Sequence, residues 1–186
     1  MNAPNILSLF RIVVTFFFIL AVYNDRFDYA LYLFVLQGLT DLLDGFIARV
    51  MGEKTELGAY LDPIADKTML VAAFIMLSIK DIVPVWLTAL IIIKDFIIAV
   101  CFFILYRLVG SIEPVPSIFG KLTTTCQIAT VLLVLLVRIF SWQDMGVYTD
   151  AFFFVTAFIT VLSGCHYVYY GIRTLRESRA GKSPAR

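Results

Sequence analysis

Polar and Pro/Gly punctuation cuts the chain into six apolar stretches: roughly Asn5 to Tyr23, Tyr29 to Val50, Leu57 to Ile79, Val83 to Leu108, Ile118 to Phe140 and Tyr148 to Leu175. A helix needs about 20 residues to cross a bilayer, and every stretch is long enough. The breaks between them are short, and no alternating strand pattern of the kind a membrane barrel requires runs through the chain. The pattern predicts an all-α integral membrane bundle of six transmembrane helices. The first stretch has no basic segment before it and no A-x-A pattern after it, so it reads as a mature helix rather than a secretory signal.

Composition agrees, with 61% hydrophobic and 16% charged residues in 186. Such a chain has room for one membrane domain, expected over residues 1–175, and a short basic cytoplasmic tail over 176–186, its part from Ser178 onward solvated and partly disordered. A soluble catalytic domain is excluded by length, so any chemistry sits on the spans or their connections. Six spans place both termini on one side. Arg11, Arg49, Lys54, Lys67, Arg107, Lys121, Arg173, Arg176, Arg179, Lys182 and Arg186 fall on that side, against Arg26, Lys80 and Arg138 on the other. The bias predicts cytoplasmic termini.

Against this background four aspartates stand out: Asp41 and Asp44 close the second stretch, and Asp62 and Asp66 lie in the third. A carboxylate at mid-membrane costs about 2.5–3.5 kcal/mol on insertion scales, and bound cations could offset that. On a helix, Asp41, Asp44, Gly45, Ala48 and Arg49 form one stripe, and Gly58, Asp62 and Asp66 step by four to form another. A turn near Gly52 lets the two helices run antiparallel with the stripes opposed. Oxygen ligands without His or Cys suit Mg²⁺ or Mn²⁺, and four carboxylates carry enough charge for two ions. Gly45, Ala48 and Gly58 either let helices approach closely or leave a slot for a flat ligand. Arg49 supplies a cation for phosphate. Together these residues suggest a nucleotide diphosphate ligand at the cytoplasmic face.

The run Asp41-Leu-Leu-Asp44-Gly45-Phe-Ile-Ala48-Arg49, then eight residues, then Gly58-Ala-Tyr-Leu-Asp62-Pro-Ile-Ala-Asp66 resembles the D-x2-D-G-x2-A-R-x8-G-x3-D-x3-D signature of the CDP-alcohol phosphatidyltransferases, with every position filled. The resemblance implies transfer of a phosphatidyl group from CDP-diacylglycerol to an alcohol with release of CMP. It implies Asp41, Asp44 and Asp62 as metal ligands, and Asp66 as ligand and general base. Gly45, Ala48, Arg49 and Gly58 would frame the CDP group. The start Pro4-Asn5-Ile-Leu-Ser8-Leu-Phe-Arg11 also resembles the family. Asn5 and Arg11 therefore read either as donor contacts or as a helix entry, with Asn5 satisfying terminal amides and Arg11 reaching to lipid phosphates.

For the acceptor, relatives that use glycerol 3-phosphate often carry G-K-x-K-T-x-x-Q, and here the run is Gly120-Lys121-Leu122-Thr123-Thr124-Thr125-Cys126-Gln127, with Thr123 where the second lysine stands. The wording around Gly38 to Arg49 and His166 to Arg173 leans to the branch of the family that takes phosphatidylglycerol. Glycerol 3-phosphate is the close second, with Lys121 and Arg107 as its phosphate partners. The resemblance also implies a homodimer; no nucleic acid partner is expected.

Lys94 and Asp95 sit inside the fourth stretch, where neighbours on a helix point about 100° apart, so pairing with each other is not expected. They read as bundle or dimer-interface structure, with substrate contact as the alternative. Cys101, Cys126 and Cys165 read as apolar packers without a disulfide, and His166, the single histidine, as a satisfied polar helix residue. Tyr167, Tyr169 and Tyr170 read as an interfacial belt. Two other classes would use some of these features. A divalent-cation channel or transporter would gather carboxylates at mid-span, and an assembly protein would not need four acids together with Gly45, Ala48, Arg49 and Gly58.

Overall fold

The computed structural model describes residues 3–51, 56–109, 118–142 and 145–179; side-chain surroundings are described for fewer, chiefly 10–40, 67–103, 118–142 and 145–174. Six helices follow in order: α1 Ala3–Tyr23, α2 Phe27–Met51, α3 Glu56–Ile79, α4 Val85–Val109, α5 Ile118–Phe140 and α6 Gly146–Arg179. Each falls on one of the six apolar stretches. Helix α6 continues through Arg179, past the point where a solvated tail was expected to begin.

Among the described residues, Val85–Phe103, Ile118–Phe140 and Gly146–Thr174 are long and apolar enough to cross a membrane, and Phe10–Tyr23 and Lys67–Ile79 are shorter apolar helices. The radial pattern fits a lipid surround. Phe16, Tyr32, Phe96, Phe103, Phe154 and Phe158 are exposed, whereas Arg11, Thr15, Gln37, Thr123, Gln127, Thr130 and Ser163 are buried. In water that order is inverted; in a bilayer, outward apolar side chains are solvated by lipid and polar ones are kept inside.

The chain divides into two compact units, Met1–Val85 with Val131–Gly146, and Trp86–Thr130 with Val147–Arg186. In the first, α1 packs against both α2 and α3. Val14, Phe18 and Val22 supply the α1 side of that core, Ala30 and Phe34 the α2 side, and Met69, Ala73, Phe74 and Leu77 the α3 side. The ring of Phe18 lies 6.1 Å from that of Phe34.

Helices α1, α3 and α5 stop at residues held in the left-handed region, Asp25 (φ 58°), Asp81 (φ 55°) and Ser141 (φ 50°). After each, an amide reaches back five residues: Arg26 to the Ala21 carbonyl, Ile82 to Leu77 and Trp142 to Val137. This is the Schellman arrangement, which satisfies carbonyls left open at a helix end; aspartate enters the left-handed region more readily than most residues. Lys80 then ties two turns together, donating to the Tyr23 carbonyl and to Asp25 Oδ1, both at 2.7 Å.

In the second unit, the order of contacts fixes direction. Trp86 stacks on Phe154, while Cβ atoms built at Gly164 and Gly171 would lie 3.3 Å from Lys94 Cγ and 3.6 Å from Leu105 Cδ1. Contacts that ascend together make α4 and α6 parallel. Helix α5 runs antiparallel to α6, since Thr130 Oγ1 bonds Thr156 Oγ1 at 2.8 Å and the Phe119 ring lies 5.2 Å from His166.

Candidate active site

The eight signature residues are divided between two helices. Asp41, Asp44, Gly45, Ala48 and Arg49 lie in the second half of α2, and Gly58, Asp62 and Asp66 in the first half of α3. Their spacing on a continuous helix keeps each set on one face. Because α1 packs on both, one helix braces the two that carry the acids. The side chains of these eight residues, and that of Asn5, lie outside the described residues. Among the described residues no group of three or more His, Cys, Asp or Glu gathers. The donor set at the signature positions is oxygen only, which is the chemistry of a hard cation.

What is described next to that site is a buried polar layer. Arg11 is 2% exposed, and Thr15 and Gln37 are each 5% exposed. Thr15 Oγ1 donates to the Arg11 carbonyl at 2.8 Å and approaches Gln37 Oε1 at 3.4 Å. Gln37 precedes Asp41 by one helical turn, so the layer leads along α2 into the signature. A guanidinium held inside the protein is not positioned to reach lipid phosphates, which removes the snorkelling reading of Arg11. Thr15 and Gln37 were missed in the sequence, although the i, i+4 spacing from Gln37 to Asp41 was a usable signal. A cleft of about 820 Å³, lined by Phe17, Leu20, Asn24, Tyr29 and Tyr32 among others, opens at the other end of α2 from the aspartates.

The two acceptor candidates, Lys121 on α5 and Arg107 on α4, are exposed. The Arg107 guanidinium sits 5.4 Å from the Phe103 ring centroid. Thr123, the position where some relatives carry a second lysine, is 1% exposed. Its hydroxyl donates to the Phe119 carbonyl at 2.8 Å and lies 3.4 Å from the Ile159 carbonyl of α6.

Two expectations about the second unit are corrected, for the Lys94 and Asp95 pair and for Cys165. Lys94 and Asp95 do pair, Nζ to Oδ1 at 2.9 Å, with side chains only 12% and 19% exposed. The long lysine stem folds across the 100° separation, and neutralisation inside an apolar bundle rewards it. Tyr167 is half-buried, and its hydroxyl would lie 2.7 Å from a Cβ built at Gly120, so the ring covers α5 at its only Cβ-free position near the helix start. Tyr169 does face outward. The cysteines are free thiols, and Cys165 is exposed rather than packed inside.

An all-helical bundle with outward-facing apolar surfaces, in which α1 packs on both acid-bearing helices, fits a membrane-embedded protein. The profile of the CDP-alcohol phosphatidyltransferase family matches residues 1–166, and the chain belongs to that family. It is 34% identical over 93% of its length to a cardiolipin synthase (CMP-forming) of Rattus norvegicus, spanning 62% of that protein. It is 30% identical over 94% of its length to a CDP-diacylglycerol–glycerol-3-phosphate 3-phosphatidyltransferase of Wigglesworthia glossinidia brevipalpis, spanning 97% of it. A protein of the same name from Shigella flexneri is 33% identical over 90% of the chain, which spans 93% of it.

Proposed function

We propose that the protein transfers a phosphatidyl group from CDP-diacylglycerol to a glycerol-type alcohol and releases CMP at the cytoplasmic face of a membrane. The observation that carries this reading is the signature itself, complete and divided between one face of α2 and one face of α3, in a chain whose family match covers residues 1–166. The acceptor hydroxyl attacks the phosphorus that bears the diacylglycerol. The bond from that phosphorus to the bridging oxygen breaks, and CMP departs with the electron pair. Asp66 takes the proton of the attacking hydroxyl. Asp41, Asp44, Asp62 and Asp66 are the residues to hold one or two divalent cations, Mg²⁺ or Mn²⁺, which when bound supply positive charge to the pyrophosphate. Gly45, Ala48, Gly58 and Arg49 frame the CDP group, with Asn5 and Arg11 contributing to its polar end.

Phosphatidylglycerol is the acceptor this reading favours, because Thr123 is a buried neutral group where a phosphate-binding lysine stands in relatives of the other kind. A second reading takes glycerol 3-phosphate instead. It is supported by exposed Lys121 and Arg107 and by bacterial relatives that the chain spans almost end to end. Both termini are cytoplasmic in either reading, and two copies form a homodimer. The deciding experiment offers purified protein CDP-diacylglycerol, a divalent cation, and phosphatidylglycerol, glycerol 3-phosphate, inositol phosphate or serine in parallel, and identifies the lipid formed. Cardiolipin alone supports the first reading; phosphatidylglycerophosphate alone supports the second; a serine or inositol product removes both.

A further inference from the structure

The cleft at the turn between α1 and α2 lies wholly within the first unit. Its volume of about 820 Å³ falls in the range of about 300–1,000 Å³ usual for ligand pockets. Asp28 at the cleft and Asp44 of the signature are sixteen residues apart on α2, or about 24 Å at 1.5 Å per residue, most of the roughly 30 Å of a hydrocarbon core. A molecule held here is out of reach of the acids.

The lining changes character along the helices. Within the spans it is apolar, with Phe17, Leu20 and Ala21 from α1 and Tyr32 and Leu33 from α2; at the turn it is polar, with Asn24, Arg26 and Asp28. The Arg26 guanidinium carbon sits 4.7 Å from the Tyr29 ring centroid, and Arg26 Nε lies 3.7 Å from Asp28 Oδ1 with the two side chains 60% and 62% exposed. That separation is longer than a hydrogen bond. An exposed pair of this kind contributes at most about 1 kcal/mol, so stability does not account for two charges beside an apolar cleft. The neighbouring polar groups are engaged elsewhere: Lys80 holds Asp25 Oδ1 at 2.7 Å, and Asn24 Nδ2 donates to the Leu20 carbonyl at 2.7 Å. Asn24 Oδ1 is left as an acceptor.

Charge complementarity narrows the occupant. Phe17 and Tyr32 are exposed on a surface that lipid solvates, so the molecule that reaches the cleft is a lipid. An anionic headgroup would set like charge against Asp28, and the cation of phosphocholine has no N–H to donate. Phosphoethanolamine matches both signs: its phosphate accepts from Arg26, and its ammonium, with three donors, serves Asp28 and Asn24 Oδ1.

We propose that the α1–α2 cleft binds a phospholipid with a phosphoethanolamine headgroup, at the end of the bundle opposite the acids. The headgroup spans Arg26 and Asp28, and the upper part of an acyl chain lies against Phe17, Leu20 and Leu33. The site does not depend on the reaction read at the signature.

The test titrates the purified full chain in detergent with phosphatidylethanolamine, phosphatidylcholine or phosphatidylglycerol, and reads bound lipid and oligomeric state by native mass spectrometry. Wild type is compared with Ala21→Phe, which fills the cleft, and with Asp28→Asn and Arg26→Gln, which change exposed side chains and leave the fold intact. Wild type is expected to bind phosphatidylethanolamine more tightly than phosphatidylcholine, and Ala21→Phe to lose that binding while any binding of phosphatidylglycerol at the acids persists. Asp28→Asn should weaken phosphatidylethanolamine about tenfold, the loss of one charge-assisted hydrogen bond, and leave phosphatidylcholine unchanged. Arg26→Gln should weaken both. Equal binding of the two zwitterionic lipids by wild type, or phosphatidylethanolamine binding that survives Asp28→Asn unchanged, overturns the proposal. So does phosphatidylglycerol binding that falls as far as phosphatidylethanolamine binding in Ala21→Phe, which makes the cleft an anionic-lipid site, or a changed oligomeric state in that variant, which assigns the cleft to a second copy.

Discussion

The two units solve the problem of polar groups in an apolar bundle differently. In the first, a charged group is buried within a few turns of the acids: Arg11 is enclosed beside Thr15 and Gln37, and Gln37 leads by one turn into Asp41. In the second, the buried polar groups are hydroxyls and an amide, and the one described ion pair of the span, Lys94 with Asp95, neutralises itself. Charge is expensive inside a membrane and hydroxyls are not. The difference separates a unit that encloses a charged group from one whose buried polar groups are mainly neutral.

Removing the charge chemistry should break the comparison most severely. Chelation of divalent cations, or Asp62→Asn, is expected to lower CMP release by about 10³-fold or more while the protein stays folded, measured by turnover alongside circular dichroism. Next in size, Arg11→Met should raise the CDP-diacylglycerol KM by about tenfold or more, with Arg11→Lys recovering part of it. An effect confined to the acceptor KM would move Arg11 out of the donor site.

In the second unit the effects should fall on stability. Lys94→Met removes the cation 2.9 Å from Asp95 and is expected to destabilise the protein or its assembly by about 2–3 kcal/mol without altering acceptor KM. The double change Lys94→Met with Asp95→Leu should recover much of that loss; a raised acceptor KM would make Lys94 a substrate contact. The smallest effect is at the Thr130–Thr156 hydrogen bond. Thr130→Val should cost about 0.6 kcal/mol in chemical unfolding, the average for such bonds between membrane helices.

The contrast also explains what the sequence could and could not disclose. Six helices were legible because each is a long apolar run, and the acid-bearing stripes were legible because one-helix spacing is a property of the sequence alone. The αL stops at Asp25, Asp81 and Ser141 were not, because none is a glycine and the arrangement is defined by carbonyls of the preceding turn. Arg11 read equally as a donor contact or as a cation reaching lipid phosphates, because its enclosure depends on neighbouring helices. Lys94 and Asp95 were not expected to pair with each other because helical angles ignore the reach of a lysine stem.

The central claim is that carboxylates on α2 and α3 carry metal-dependent phosphatidyl transfer, with Asp66 as base. The direct measurement is CMP release from CDP-diacylglycerol with phosphatidylglycerol or glycerol 3-phosphate, in Mg²⁺ or Mn²⁺, by wild type and Asp66→Asn, with donor binding followed in parallel. Metal-dependent release in wild type, and loss of turnover with retained donor binding in Asp66→Asn, is the predicted result. Turnover without a divalent cation, or full activity in Asp66→Asn, would contradict it.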